Sequence, residues 1–122
     1  MAEEKQREKL PENYIPVSGQ SVEVKRRNQT RMEYAVADEK YLMAVSKVLK
    51  KFETAVLSGR GKATGRCIRL ATHQQLKGTI DEEKSFKSLK IGSEEVEREN
   101  KRSKEQYTTY VEFVEITLYR KG

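Results

Sequence analysis

From Tyr107 to Tyr119 the chain is dense in Thr, Tyr, Val, Phe and Ile, and Val114, Ile116 and Leu118 alternate with Glu115 and Thr117. β-Branched and aromatic residues at a period of two specify a strand with one buried face. A long strand of this kind requires neighbouring strands and a covering layer, so the rest of the chain must supply both.

Ser21-Val22-Glu23-Val24-Lys25 alternates apolar and charged residues and predicts a short first strand. Arg26 to Arg31 follow as a polar, basic loop, and Thr30 with Glu33 fits a helix-capping box. Tyr34, Ala37, Tyr41, Val45, Val48 and Phe52 recur at steps of three and four, which predicts a helix from Met32 to Phe52. Thr54–Ser58 reads as a strand, and Ala63–Leu76 as a second helix closed by Gly78. Phe86–Ile91 reads as another strand, with Gly92 as a bend. The polar residues 94–106 suit an extended hairpin arm or a loop before the long strand 107–119. The expected fold is α+β: a single compact βαβαββ domain over residues 21–122 with a long C-terminal β-hairpin. Residues 1–20, with Pro11, Pro16, Gly19 and few apolar side chains, are expected to form a flexible tail.

The length of 122 residues suits one domain. No stretch approaches the ~18 apolar residues of a membrane helix, and the Glu-rich start has no signal-peptide core, so an intracellular chain without a membrane partner is expected. The net charge of +6 is unevenly placed. Residues 21–69 carry 12 basic and 5 acidic side chains, residues 70–122 carry 10 of each, and residues 1–20 sum to −1. A polyanion would be drawn to the central segment, with nucleic acid the leading candidate.

Gly59-Arg60-Gly61-Lys62-Ala63-Thr64-Gly65 sits between a strand and a helix, as phosphate-binding turns do. A P-loop would need Gly where Val56 stands and Ser or Thr where Ala63 stands; a dinucleotide fingerprint would need Gly or Ala at Thr64. Both motifs fail. With Arg60 and Lys62 beside the turn, a nucleic-acid backbone suits it better than a mononucleotide.

The run Ala55-Val56-Leu57-Ser58-Gly59-Arg60-Gly61-Lys62-Ala63 resembles the second strand, basic glycine turn and second-helix start of the Alba family of DNA- and RNA-binding proteins. Lys90–Val96 and Val114–Leu118 resemble its last two strands, and the wording of the turn is closest to eukaryotic members. The resemblance implies a homodimer, or a heterodimer with another Alba-type chain, that cups nucleic acid between the first-loop regions while the terminal hairpins reach along it. Carried over by position, the binding surface is the loop around Arg26, Arg27 and Arg31, the turn Arg60–Gly61–Lys62, and the hairpin tip with Arg98, Lys101, Arg102 and Lys104. Arg66 joins them on a basic helical stripe that continues to Arg69 and His73. Asn28 and Gln29 stand where archaeal members carry a lysine pair. The implied function is RNA binding, with DNA as a further ligand, acting on messenger RNA translation or stability in the cytoplasm or also the nucleus. The alternatives are a subunit of a ribonuclease P/MRP-like ribonucleoprotein and a DNA-binding chromatin protein.

No catalytic constellation is expected, and neither a cofactor nor a metal. One Cys and one His cannot build a tetrahedral zinc site within one chain. Cys67 and His73, six residues apart on a helix, point about 120° away from each other. Cys67 is expected to be a packed small residue. Tyr14, Tyr107, Tyr110 and Tyr119 have the chemistry to stack on unpaired bases. Packing is the favoured role for Tyr110 and Phe113, as for Tyr34 and Tyr41 on the first helix.

Overall fold

The computed structural model describes residues 11–122. The strand foreseen at the C-terminus is β6, Gln106–Tyr119, and it organises the sheet. On one side it pairs antiparallel with β4, Thr54–Arg60; on the other it pairs antiparallel with β5, Lys90–Glu99. The remaining place, beside β4, is taken in parallel by β1, Tyr14–Val17, giving the order β1-β4-β6-β5.

Alternation decides which face is covered. Ala55, Leu57 and Gly59 of β4, Val114, Ile116 and Leu118 of β6, and Ile15 and Val17 of β1 are all buried. The residues between them are not. Helix α1, Asp38–Lys51, covers the apolar face with Tyr41, Leu42, Val45 and Leu49, and helix α2, Thr64–Ala71, adds Cys67, Leu70 and Ala71. Each fully buried Leu contributes about 1.5–3 kcal/mol by leaving water. The opposite face of the sheet is open.

The chain is thus an α+β domain of the expected βαβαββ order, but four stretches differ from the expected readings. The part of the expected tail that the structure describes is not all tail: Asn13–Val17 docks on β4, because Ile15 and Val17 alternate into the core. Residues 1–10 of that tail lie outside the described residues. Ser21–Arg26 (β2) is not the first strand of the main sheet; it pairs with β3, Gln29–Tyr34, as a separate hairpin. The first helix therefore starts at Asp38 instead of Met32, and the Thr30–Glu33 capping box does not form. Asp38 and Glu39 in the first turn favour the helix dipole instead. The second helix stops at Ala71, and His73 Nδ1 accepts from the Gln75 N–H (3.1 Å) at the start of a short 3-10 turn, Gln74–Leu76.

The last difference is at Phe86. Asp81 accepts from the Lys84 N–H (3.1 Å) and caps a short helix α3, Glu82–Lys87, so β5 begins only at Lys90. Helix α3 has a structural use. Pairing of β5 with β6 starts at Lys90↔Glu115, which leaves the end of β6 paired with β4 on one side and without a strand on the other. The Ser88 and Ser85 hydroxyls accept from the N–H groups of Thr117 and Tyr119, each at 2.9 Å, and close that edge.

Candidate nucleic-acid interface

Three basic features converge on one end of the sheet. The first is the glycine turn. Gly59 is fixed by close approach: a Cβ there would fall 2.5 Å from Cys67 Sγ and 2.7 Å from the Ala63 carbonyl. Two residues on, Gly61 takes φ +56°, the left-handed turn that swings β4 into a 3-10 turn (Gly61–Ala63) and then α2. The Thr64 hydroxyl donates to the Gly61 carbonyl (2.9 Å) and holds the turn. Arg60 and Lys62 are exposed on either side of it. Arg60 is ion-paired across the open face with Glu94 of β5.

The second feature is the β2–β3 hairpin. Its root lies beside the turn, since a Cβ on Gly19 would sit 2.8 Å from the Ala63 backbone nitrogen. Arg26 pairs with Gln29, so the tip is the two-residue loop Arg27–Asn28, with Arg27 at φ +56°. Arg26, Arg27 and Arg31 are all exposed, and so is Lys25 near the end of β2. Among the described residues none of these four, nor Lys62, makes an ion pair.

The third is the arm. β4 stops at Arg60↔Phe113, so Gln106–Glu112 and their β5 partners run on past the sheet as a two-stranded ribbon about 24 Å long. Directly opposed residues share a face. The side continuing from buried Val114 carries Glu95, Glu97, Glu99 and Glu112 and no cation. The other side carries Gly92 under the Phe113 ring, Glu94, Val96, and Arg98 opposite Tyr107. Lys101, Arg102 and Lys104 are exposed at the tip, with Lys104 at φ +58°. A polyanion is therefore repelled by one side of the arm and tolerated on the other.

Arg66 leaves this set. Its side chain is 0% exposed. The guanidinium donates to the Ser18 carbonyl (2.8 Å), to the Val36 carbonyl and to Asp38 Oδ1 (2.8 and 3.0 Å), and lies 3.9 Å from the Tyr34 ring centroid. The stripe places Lys62 in water but Arg66 beneath the chain that enters and leaves the hairpin. Two carbonyls of half-buried residues there need donors, and a fork-shaped cation supplies them. Arg69, half-exposed, forks onto the same Asp38 carboxylate at 3.1 and 2.9 Å. Burial pushes the Asp38 carboxyl up, yet Arg66 and Arg69 outweigh it and hold the group below its ordinary 3.8.

The aromatic expectations divide. Tyr41 is core, and its hydroxyl accepts from the Ser18 N–H (2.9 Å). Tyr34 is not on a helix; it ends β3 and carries the Arg66 and Arg69 guanidinia against its ring. Tyr110 does not pack: it is 69% exposed, its hydroxyl donating to Glu95 Oε1 at 3.2 Å. Tyr119 lies under the Lys84 ammonium at 4.5 Å. Cys67 is buried, and burial pushes its thiol up to about 11. Among the described residues no three His, Cys, Asp or Glu side chains are grouped to hold a metal, and no helix is long and apolar enough to cross a membrane.

No family model matches the chain, and no curated protein matches it. Among solved structures it is similar to Alba from Thermoplasma volcanium, with a TM-score of 0.46 and 17% identity over 88% of this chain and 99% of that one.

Proposed function

We propose that the chain binds nucleic acid without catalysis, RNA before DNA, by electrostatic contact with the phosphate backbone. The observation that carries this reading is the convergence of the β2–β3 hairpin, the Arg60–Lys62 turn and the arm on one end of the sheet, with Arg26, Arg27, Arg31 and Lys62 making no ion pair among the described residues. Arginine forks match phosphate geometry. Arg98, Lys101, Arg102 and Lys104 extend the surface along the arm. The resemblance of residues 55–63 to the Alba turn supports the same assignment. The cellular reading we favour is messenger RNA translation or stability, in the cytoplasm or also the nucleus.

A dimer fits this reading. Ile68, Phe86 and Leu89 expose an apolar surface around one cavity between α2 and α3, and Ile91 at the start of β5 is exposed as well. The cavity, of about 130 Å³, is lined by Ile68, Ala71, Thr72, Phe86, Leu89 and Ile116. Exposed apolar surface of this kind favours a second copy or a related chain. It equally favours the second reading, a subunit of a ribonuclease P/MRP-like ribonucleoprotein held mainly by protein contacts.

The test is titration of labelled single-stranded RNA, single-stranded DNA and duplex DNA over a range of salt. With about five phosphates contacted, log affinity for single strands falls against log salt with a slope near −3.5. R60E combined with K62E weakens every sequence alike. Affinity that stays flat with salt overturns the proposal; a change of sequence preference alone replaces backbone contact with base contact. Size-exclusion of the chain with and without an Alba-type partner, followed by RNA titration of each species, separates the two cellular readings.

A further inference from the structure

The β2–β3 hairpin sends no side chain into the core; only Val24 is even half-buried. Two-stranded ribbons of this length are marginal by themselves in water. What ties this one down is at its root, where the Ala35 N–H donates to the Gln20 carbonyl (2.9 Å) and Gly19 abuts Lys62 and Ala63. Beneath that root sits one guanidinium. Arg66 holds the Ser18 carbonyl on the entering chain, the Val36 carbonyl on the leaving chain, the Asp38 carboxylate at the start of α1, and the ring of Tyr34, the last residue of β3. All of its nitrogens are engaged, so a buried cation is fully compensated, and every partner except Tyr41 (5.0 Å from the guanidinium) flanks the hairpin.

We infer that Arg66 is a positioning residue for nucleic-acid binding: from beneath the surface it sets the angle of the β2–β3 hairpin relative to the Arg60–Lys62 turn. The inference rests on the nucleic-acid reading above. Arg26, Arg27 and Arg31 reach the same strand as Lys62 only while the hairpin stands in one orientation. If the clamp loosens, the measured Kd rises by the reciprocal of the competent fraction. Lysine cannot replace it, because one ammonium does not fork between two carbonyls and a carboxylate while stacking on a ring.

The experiment compares R66K and Y34A, each in the native background and in one lacking the hairpin charges (R26Q/R27Q/R31Q). Y34A takes away only the hairpin's side of the clamp, so it remains informative if R66K fails to fold. Single-stranded RNA is titrated, and backbone order parameters are measured for residues 21–34 and for β4 and β6. If one molecule in ten keeps the competent orientation, R66K raises Kd about tenfold in the native background, with a smaller rise for Y34A. In the charge-depleted background the same substitutions change Kd by less than about twofold, since coupled sites are non-additive. Hairpin order parameters fall below about 0.6 while the core strands stay near 0.85. Equal losses in both backgrounds, order lost throughout the domain in Y34A, or an unchanged Kd each overturn the inference. Failure of the native protein itself to bind in a salt-dependent way shows instead that the nucleic-acid reading is wrong, and the inference falls with it.

Discussion

β6 runs from Val114, Ile116 and Leu118 in the core straight out into the arm, whereas the β2–β3 hairpin leaves the body at Gly19 and returns at Ala35 without burying a side chain. The arm is stiffened by continuity with the sheet; the hairpin is held by a clamp at its root. Charge divides the other way. The hairpin presents Lys25, Arg26, Arg27 and Arg31 with no ion-pair partners among the described residues, while the arm's cations stand among Glu97, Glu99 and Glu105. The more basic ribbon is thus the less anchored one. A binding surface built this way takes its shape from one hairpin and its electrostatic attraction from the other. Both tips place a basic residue at positive φ, Arg27 and Lys104, a conformation uncommon for non-glycine residues.

The anchoring half of this contrast is broken most directly by core truncation. Ile116→Ala, at the root of the arm, is expected to cost about 2–5 kcal/mol in denaturant unfolding. Val22→Ala, on the hairpin, is expected to stay within about 0.5 kcal/mol. Comparable losses would mean that the hairpin belongs to the cooperative core.

The charge half is tested by neutralising each tip. R26Q/R27Q/R31Q removes three exposed cations, which lowers the salt slope for single-stranded RNA by about 2 and affinity at 0.1 M salt by about a hundredfold. R98Q/K101Q/R102Q/K104Q acts on a stretch, residues 97–105, whose net charge is only +1. Its expected loss is about fivefold, the value of one phosphate contact. A larger effect from the arm would reverse the assignment of attraction to the hairpin.

The clamp between the two regions carries a pH signature. Asp38 is held below its ordinary 3.8, so the stability it contributes is present above that value and is lost as pH falls through its lower folded value. D38N leaves Arg66 without its carboxylate and is less stable than the native protein at neutral pH. The gap in Tm between them should shrink as pH drops below 3.8, which thermal unfolding across pH 2–7 measures directly (about five buffers suffice). A gap that does not change with pH would mean that the charge of Asp38 is irrelevant to the clamp.

Local patterning made the covered sheet legible: alternation in 114–118 and in 54–60 marks core strands because side chains there have one neighbouring layer to face. It failed where a distant partner decides. Residues 21–26 and 29–34 are polar enough to read as strand, loop or helix, and only their pairing with each other selects the hairpin. Tyr34 matched a helical period by coincidence. Pro11, Pro16, Gly19 and the scarcity of apolar side chains mark residues 1–20 as a tail, yet Ile15 and Val17 fill the core beside β4. Lys62, Arg60 and the hairpin arginines were legible as exposed cations; the burial of Arg66 was not, because the carbonyls it satisfies belong to residues 48 and 30 positions away. The Ser85 and Ser88 hydroxyls that close the β6 edge were hidden for the same reason.

Arg60 stands where the two regions meet, and it offers the smallest test. It belongs to the glycine turn, but Glu94 of β5 holds it on the open face. To reach a phosphate it must first give up that carboxylate, so the arm restrains the turn. Exposed pairs of this kind are worth about 0.2–1 kcal/mol. E94Q should therefore tighten single-stranded RNA binding by up to about fivefold and steepen the salt slope slightly, with a fall in Tm of no more than about 4 °C. In an R60Q background the same substitution retains only the weaker, long-range benefit of removing a negative charge, and the difference between backgrounds measures the restraint itself. If E94Q tightens binding equally with and without Arg60, the ion pair is incidental and the arm influences the turn only through its overall field.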